Sequence, residues 1–202
     1  MNFDFADLIN PLLEQQDFIG AINLSETEMR KIPQTKYHEI LEESIINPVS
    51  ELALWIEDFY QSAKEKKSTE TFYFEVNGFV INPDKWYIDG FAYEKDGGLN
   101  LIDIAHMDWL CDNFDVRQAP FVIKGLGRLQ EVYFEESMLH EESMMEDALQ
   151  NASDWCEQLI VVKFLQFMCK AHLLAKEKSY ECACIPIYFS VHDYEIIIRS
   201  VN

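Results

Sequence analysis

Asp103, His106 and Asp108 are the residues of this chain best spaced for acid–base chemistry. An imidazole between two carboxylates serves as a base once one acid fixes its tautomer, and the three together suit a divalent metal. They fall where a fourth strand is expected to end, a common location for catalytic groups, and the reaction they would support is a small metal-assisted hydrolysis. The plainer reading makes Asp108 a helix cap and His106 a loop residue. It is preferred in a chain this rich in acids.

Sulfur offers a second constellation. Cys169 and His172 share one helix face, and Cys182 and Cys184 share one side of an extended segment, so the four form a conceivable tetrahedral Cys₃His zinc set. The spacing matches no zinc knuckle, and small buried hydrophobes are the preferred reading of these cysteines. Glu136 and His140 are one residue too far apart for the Glu-x-x-His motif of carboxylate-bridged metals. Gly125-Leu126-Gly127 lacks the third glycine of a dinucleotide loop, position 130 being Gln130. There is no P-loop, no Gly-x-Ser-x-Gly elbow and no HExxH. Enzymatic function is therefore the minor expectation, and no cofactor is called for.

Charge is distributed by region. Residues 126–160 hold nine acids against one base, Arg128, whereas residues 161–202 hold five bases and four acids. Glu131, Glu135, Glu136, Glu141, Glu142, Glu146 and Asp147 are interleaved with Met138, Leu139, Met144 and Met145. A soft apolar centre inside a negative rim is the composition of a surface that attracts a basic partner. A solvated helix face that keeps the protein dissolved is the bland alternative.

These residues need elements to hold them. Up to residue 67 the pattern is helical. Ser25-Glu26-Thr27-Glu28 reads as a capping box with Leu24 and Met29 as its staple, and the helix must end before Pro33. Asn47-Pro48 reads as an N-cap followed by proline at the first helical position, and Asn10-Pro11 as the same device. Val49, Leu52, Ile56, Phe59, Tyr60 and Ala63 then form one helical stripe, with a short helix through Tyr37, Ile40, Leu41 and Ile45 before it. From Thr69 the period becomes two. Thr71–Val76, Phe79–Ile81, Trp86–Tyr93 and Leu99–Ala105 are expected as strands, the first two joined by the hairpin dipeptide Asn77-Gly78. Connections this tight predict an antiparallel meander.

Beyond Met107 the helical period returns. A short helix is expected over Asp108–Phe114, then one with a Leu126, Leu129, Val132, Tyr133 stripe, then one over about Ser143–Lys176 with a break available near Asn151 or Ser153. Ile185–Val191 and Glu195–Val201 close the chain as a hairpin. No repeat or linker divides it, so residues 1–202 are expected to form a single α+β domain: N-terminal helices, a meander of about four strands, long helices and a C-terminal β-hairpin.

Composition bounds what such a domain does. Its 202 residues are 49% hydrophobic and 26% charged, ordinary for a folded soluble chain. Sixteen Lys and Arg against 36 Asp and Glu leave a formal charge of −20, which disfavours nucleic acid and anionic lipid as partners. Five scattered cysteines and an acidic N-terminus without signal-peptide character point to the cytoplasm. Leu159–Leu174 is interrupted by Lys163, Gln166, Lys170 and His172 and is expected to be a buried helix, not a membrane span. The expectation is a non-catalytic, acidic protein-binding module, in concrete form a bacterial immunity-type inhibitor of a basic toxin such as a nuclease. The alternatives are the hydrolase built on Asp103, His106 and Asp108, and a scaffold protein without a ligand.

Overall fold

In the computed structural model, residues 3–79, 82–98, 113–114, 116, 118–138, 147–194 and 196–200 are described. Helices α1 (Phe3–Glu14), α2 (Phe18–Met29) and α3 (Val49–Lys64), with a 3₁₀ turn over Lys36–Leu41, lead into strands β1 (Thr71–Val76) and β2 (Tyr87–Tyr93). Two two-residue strands follow, β3 (Asn113–Phe114) and β4 (Phe121–Val122), then helices α4 (Gly127–Met138) and α5 (Asp147–Glu177). A 3₁₀ turn over Glu181–Cys184 precedes the closing strands β5 (Ile187–Val191) and β6 (Ile198–Ser200). The class is the expected mixture of helix and sheet.

The sheet runs β3-β2-β1-β5-β6, with β4 also on the β2 edge. It is mixed, which corrects the antiparallel meander. β1 pairs β2 antiparallel but β5 parallel, Phe72 opposite Ile187 and Val76 opposite Val191. β5 pairs antiparallel with β6, Ile187 opposite Ser200 and Phe189 opposite Ile198, a shorter pairing than the expected hairpin over Ile185–Val191 and Glu195–Val201, and β5 lies against β1, making β1 central. Long-range pairing of this kind leaves no local signal in sequence.

The Asn77-Gly78 hairpin is also corrected. Phe79 lies in a turn outside any strand, and β1 pairs directly with Tyr87–Tyr93 across the intervening loop. Asn77 supports that loop through its side chain: Oδ1 accepts from Tyr87 N at 2.7 Å and Nδ2 donates to Lys85 O at 3.1 Å. Phe79 turns inward against Trp86, ring centroids 5.6 Å apart. The expected fourth strand over 99–105 lies outside the described residues, and residues 113–114 pair as strand instead of ending a helix.

The helix starts shift for local reasons. Ser25 sits inside α2, its hydroxyl donating to Ala21 O, and Asp17 provides the cap by accepting from Gly20 N. Pro48 takes the capping position of α3, while Asn47 is drawn away to Val122 and Lys124. Pro11 lies within α1 and starts nothing. Asn10 instead accepts from the Tyr194 hydroxyl at 3.2 Å, a group that also reaches Gln158 Oε1 at 2.8 Å and so ties the C-terminal hairpin to α1 and α5.

Helix α5 runs unbroken through Asn151 and Ser153 and packs against α2, α3 and the inner face of the sheet. Residues 159–162 and 164–165 are buried in succession, which explains an apolar character on nearly every side. By length and composition α5 does reach the membrane-span range, but 72% of its most apolar window is packed inside the protein. Phe59 of α3 meets Phe72 and Phe74 edge to face at 5.0 and 5.2 Å, and Gly90 lies opposite Phe74 on β2. A Cβ at Gly90 would sit 2.6 Å from both Phe59 and Phe74, so the aromatic layer requires glycine there.

Candidate functional site

Helix α4 carries the described part of the acidic segment, and its start is fixed from a distance. It has no acid of its own in the first turn. The Glu43 carboxylate fills that role, Oε1 accepting from Arg128 N at 3.1 Å and Oε2 from Leu129 N at 3.0 Å. An anion there satisfies two orphan N–H groups and complements the helix dipole. The Arg128 guanidinium lies among Glu39, Glu42 and Glu43, so this cation is held by three carboxylates beside its own helix. Lys163 of α5 donates to Glu43 O at 3.1 Å, and burial lowers its pKa.

The approach to α4 is equally constrained. Ile46 N donates to Lys124 O, and Asn47 brackets the same strand end through Val122 O and Lys124 N. Gly125 sits at φ +100°, where a Cβ would lie 2.3 Å from Ser44 O. A left-handed backbone and a close crossing together demand glycine.

Packing then sets the rotation of the helix. Leu126, Leu129, Val132 and Tyr133 are buried as their spacing predicts. The Tyr133 ring stands 5.9 Å from Phe79 and 6.1 Å from Trp86, the residues that bracket the β1–β2 loop. Trp86 Nε1 donates to Phe79 O at 3.2 Å, and Asn82 donates to Gly78 O through both its backbone N and Nδ2. Loop and helix are thus fastened through Tyr133. Its neighbour Phe134 must face outward and is 44% exposed.

Between them lies an open groove of about 380 Å³, with Pro83 and Asp84 on the loop side and Gln130, Glu131, Phe134 and Glu135 on the helix side. Nothing lies within 4 Å of where a Gly127 Cβ would stand, which leaves that end unobstructed. Asp84, Glu131 and Glu135 have no basic partner among the described residues. The groove lining combines an aromatic ring and a pyrrolidine with three carboxylates.

No family model, curated protein or solved structure matches the chain.

The expected partner-binding residues are placed unevenly. Glu131 and Glu135 join in the groove, whereas Asp147 is exposed in the first turn of α5, complementing that helix's dipole. Glu136 and Met138 belong to α4 by backbone, but their side chains lie outside the described residues, as do Glu141, Glu142, Met144 and Glu146 entirely. Asp154 and Glu157 do not belong to an acidic surface. Both are buried, burial raises the Glu157 pKa, and Asp154 accepts from Gln150 at 3.0 Å. Sequence reasoning missed Asp84 and Phe134. Phe134 did carry a signal: it is an aromatic residue off the apolar stripe of an acidic helix, whereas Asp84 arrives through a loop no periodicity describes.

Asp103, His106 and Asp108 lie outside the described residues. Among the described residues no three His, Cys, Asp or Glu side chains form a group able to hold a metal ion. His172 is buried on α5, its Nδ1 2.7 Å from the Ser200 hydroxyl and its pKa pushed down to about 4 by burial. Burial pushes the nearby Cys169 thiol up to about 12. Cys182 is buried, its backbone N–H donating to Glu57, while Cys184 is exposed with its sulfur 3.8 Å from the Tyr60 hydroxyl.

Proposed function

We propose that the protein is a non-catalytic binding module that engages a cationic protein partner through the groove between α4 and the β1–β2 loop. One observation supports this reading: Asp84, Glu131 and Glu135 line one groove with the exposed Phe134, on a helix whose start Glu43 caps. An exposed aromatic inside a charged rim is the make-up of an interface anchor. The surrounding field attracts basic surfaces and speeds their encounter, since the chain carries −20 overall and a local excess of acids over residues 126–160. In its most concrete form the partner is a basic toxin, such as a nuclease, whose cationic nucleic-acid-binding surface an acidic helix would cover, as an immunity protein does. The cytoplasm is the proposed location.

The test is affinity capture from the native cell at low and at high salt, with wild-type chain and with an Asp84→Lys, Glu131→Lys, Glu135→Lys variant as baits. A basic protein retained by wild type at low salt, released at high salt and not retained by the variant is the expected result. Capture that is indifferent to the charge reversal overturns the reading.

A further inference from the structure

We infer that β6 is an acid-released edge strand: protonation of the two side chains that hold it, one on each face of the sheet, frees Ile198–Ser200 from β5 while the rest of the fold stays in place.

The placement of the strand makes this possible. β6 is three residues long and pairs with β5 at the end of the sheet. Successive side chains of a strand point to opposite faces, so Arg199 and Ser200 reach in opposite directions. Ser200 turns inward, its hydroxyl 2.7 Å from His172 Nδ1 on α5. Arg199 turns outward. Its guanidinium donates to the Asp96 carboxylate and, through Nε at 2.9 Å, to the Tyr188 hydroxyl, which itself donates to Asp96. On the open edge, Gln16 Nε2 makes a long bond of 3.5 Å to Arg199 O.

Both attachments depend on a proton. His172 is fully buried, and its Nε2 has no hydrogen-bond partner among the described residues. A neutral ring that donates from Nδ1 to Ser200 leaves Nε2 a bare acceptor. A second proton there creates an N–H and a charge that nothing accepts. Cys169 and Lys176 approach the ring from its own helix, the Phe189 ring from β5 at 6.4 Å between centroids, and Ser200 from β6. Burial first, and then the Lys176 charge, hold the imidazole pKa near 4 instead of 6.5. Lifting β6 away lets water reach the ring and solvate the cation.

Asp96 acts in the same direction at lower pH. Burial pushes its pKa up, but bonds from Tyr188, Arg199 and the Gly98 N–H outweigh burial and lower it. Glu70, which accepts from the Asp96 backbone N, is the other charged group beside it. The Arg199 contact is therefore lost only below the ordinary carboxylate range. The release also has a limit in the chain. The Tyr194 hydroxyl bonds Gln158, and the Ser190 hydroxyl donates to Ile196 O at 3.1 Å. None of these groups titrates in acid, so the turn before β6 stays docked and Ile187–Val191 becomes the sheet edge.

The experiment is amide hydrogen exchange of the full chain at pH 7 and pH 5, expressed as protection factors so that the intrinsic effect of pH cancels. Arg199 O faces Gln16, so the amides of Ile198 and Ser200 face β5. Their protection should fall about 20-fold between the two pH values, the ratio that pKa values of 6.5 in the open form and about 4 in the closed form produce. It should also be insensitive to about 1 M urea, because a local opening exposes little surface. Amides of β1 should remain better protected and respond to urea. His172→Gln should abolish the pH effect. Asp96→Asn should lower β6 protection at pH 7 and leave the pH effect intact. Protection of β6 that is equal at both pH values, or that responds to urea as β1 does, overturns the inference, and neither result needs a variant to fold. A pH effect of full size in His172→Gln, or β6 protection unchanged by Asp96→Asn, overturns it as well.

Discussion

Tyr133 and Phe134 are adjacent, chemically similar and opposite in role. Tyr133 is 3% exposed between Phe79 and Trp86, whereas Phe134 is 44% exposed over the groove. Tyr133→Ala should therefore cost about 3–5 kcal/mol in urea unfolding, as for other large aromatic truncations in cores. Phe134→Ala should change stability by no more than about 0.5 kcal/mol while weakening partner binding by about 2 kcal/mol or more. The stripe Leu126, Leu129, Val132, Tyr133 made the buried half of this contrast legible in sequence. The groove itself was not legible, because Pro83 and Asp84 reach it only through the way Phe79 and Trp86 fold back on Tyr133.

At the scale of elements, amphipathic helices were readable and strand partners were not. The stripe from Leu52 to Ala63 predicts α3 because three- and four-residue spacing is a local property. The pairing of β1 with β5 joins residues more than a hundred positions apart, and Asn77-Gly78 misled because Asn77 spends its amide on Tyr87 and Lys85 instead of forming a tight turn. Caps suffer the same competition: Asn47 is drawn to Lys124, while Glu43 caps a helix that begins 84 positions later at Gly127. Glu43→Gln should destabilise the fold by about 1–2 kcal/mol and speed hydrogen exchange in α4 ahead of α3.

Helix α5 gives an element its pH response. His172 has its pKa held near 4 by burial, below the ordinary 6.5, so between those values the unfolded chain binds a proton that the folded chain refuses. Stability contributed by keeping this imidazole neutral is present above pH 6.5 and is lost as the pH falls toward 4, by up to about 3 kcal/mol. Urea unfolding at pH 7 and pH 5 should show a smaller drop in His172→Gln, which keeps a polar group beside Ser200 without that titration.

For the whole molecule, a charge of −20 on 202 residues means self-repulsion opposes the compact state. Screening should raise the unfolding temperature as salt increases from about 10 to about 300 mM, over the same range in which binding of a cationic partner weakens. Opposite salt trends in stability and affinity are the outcome expected if the proposed cationic partner is bound by the acidic groove. The charge imbalance over residues 126–160 was visible in sequence, but the burial of Asp154 and Glu157 was hidden, since charge counting ignores which helix face is covered.

Hydrogen exchange of the chain, free and bound to the basic partner recovered by affinity capture, tests the central claim most directly. The account predicts slowed exchange in α4 and in the β1–β2 loop around Pro83 and Asp84, with α1 and β6 unchanged. Protection confined to α1 or to the β6 edge, with α4 exchanging as in the free protein, would contradict it.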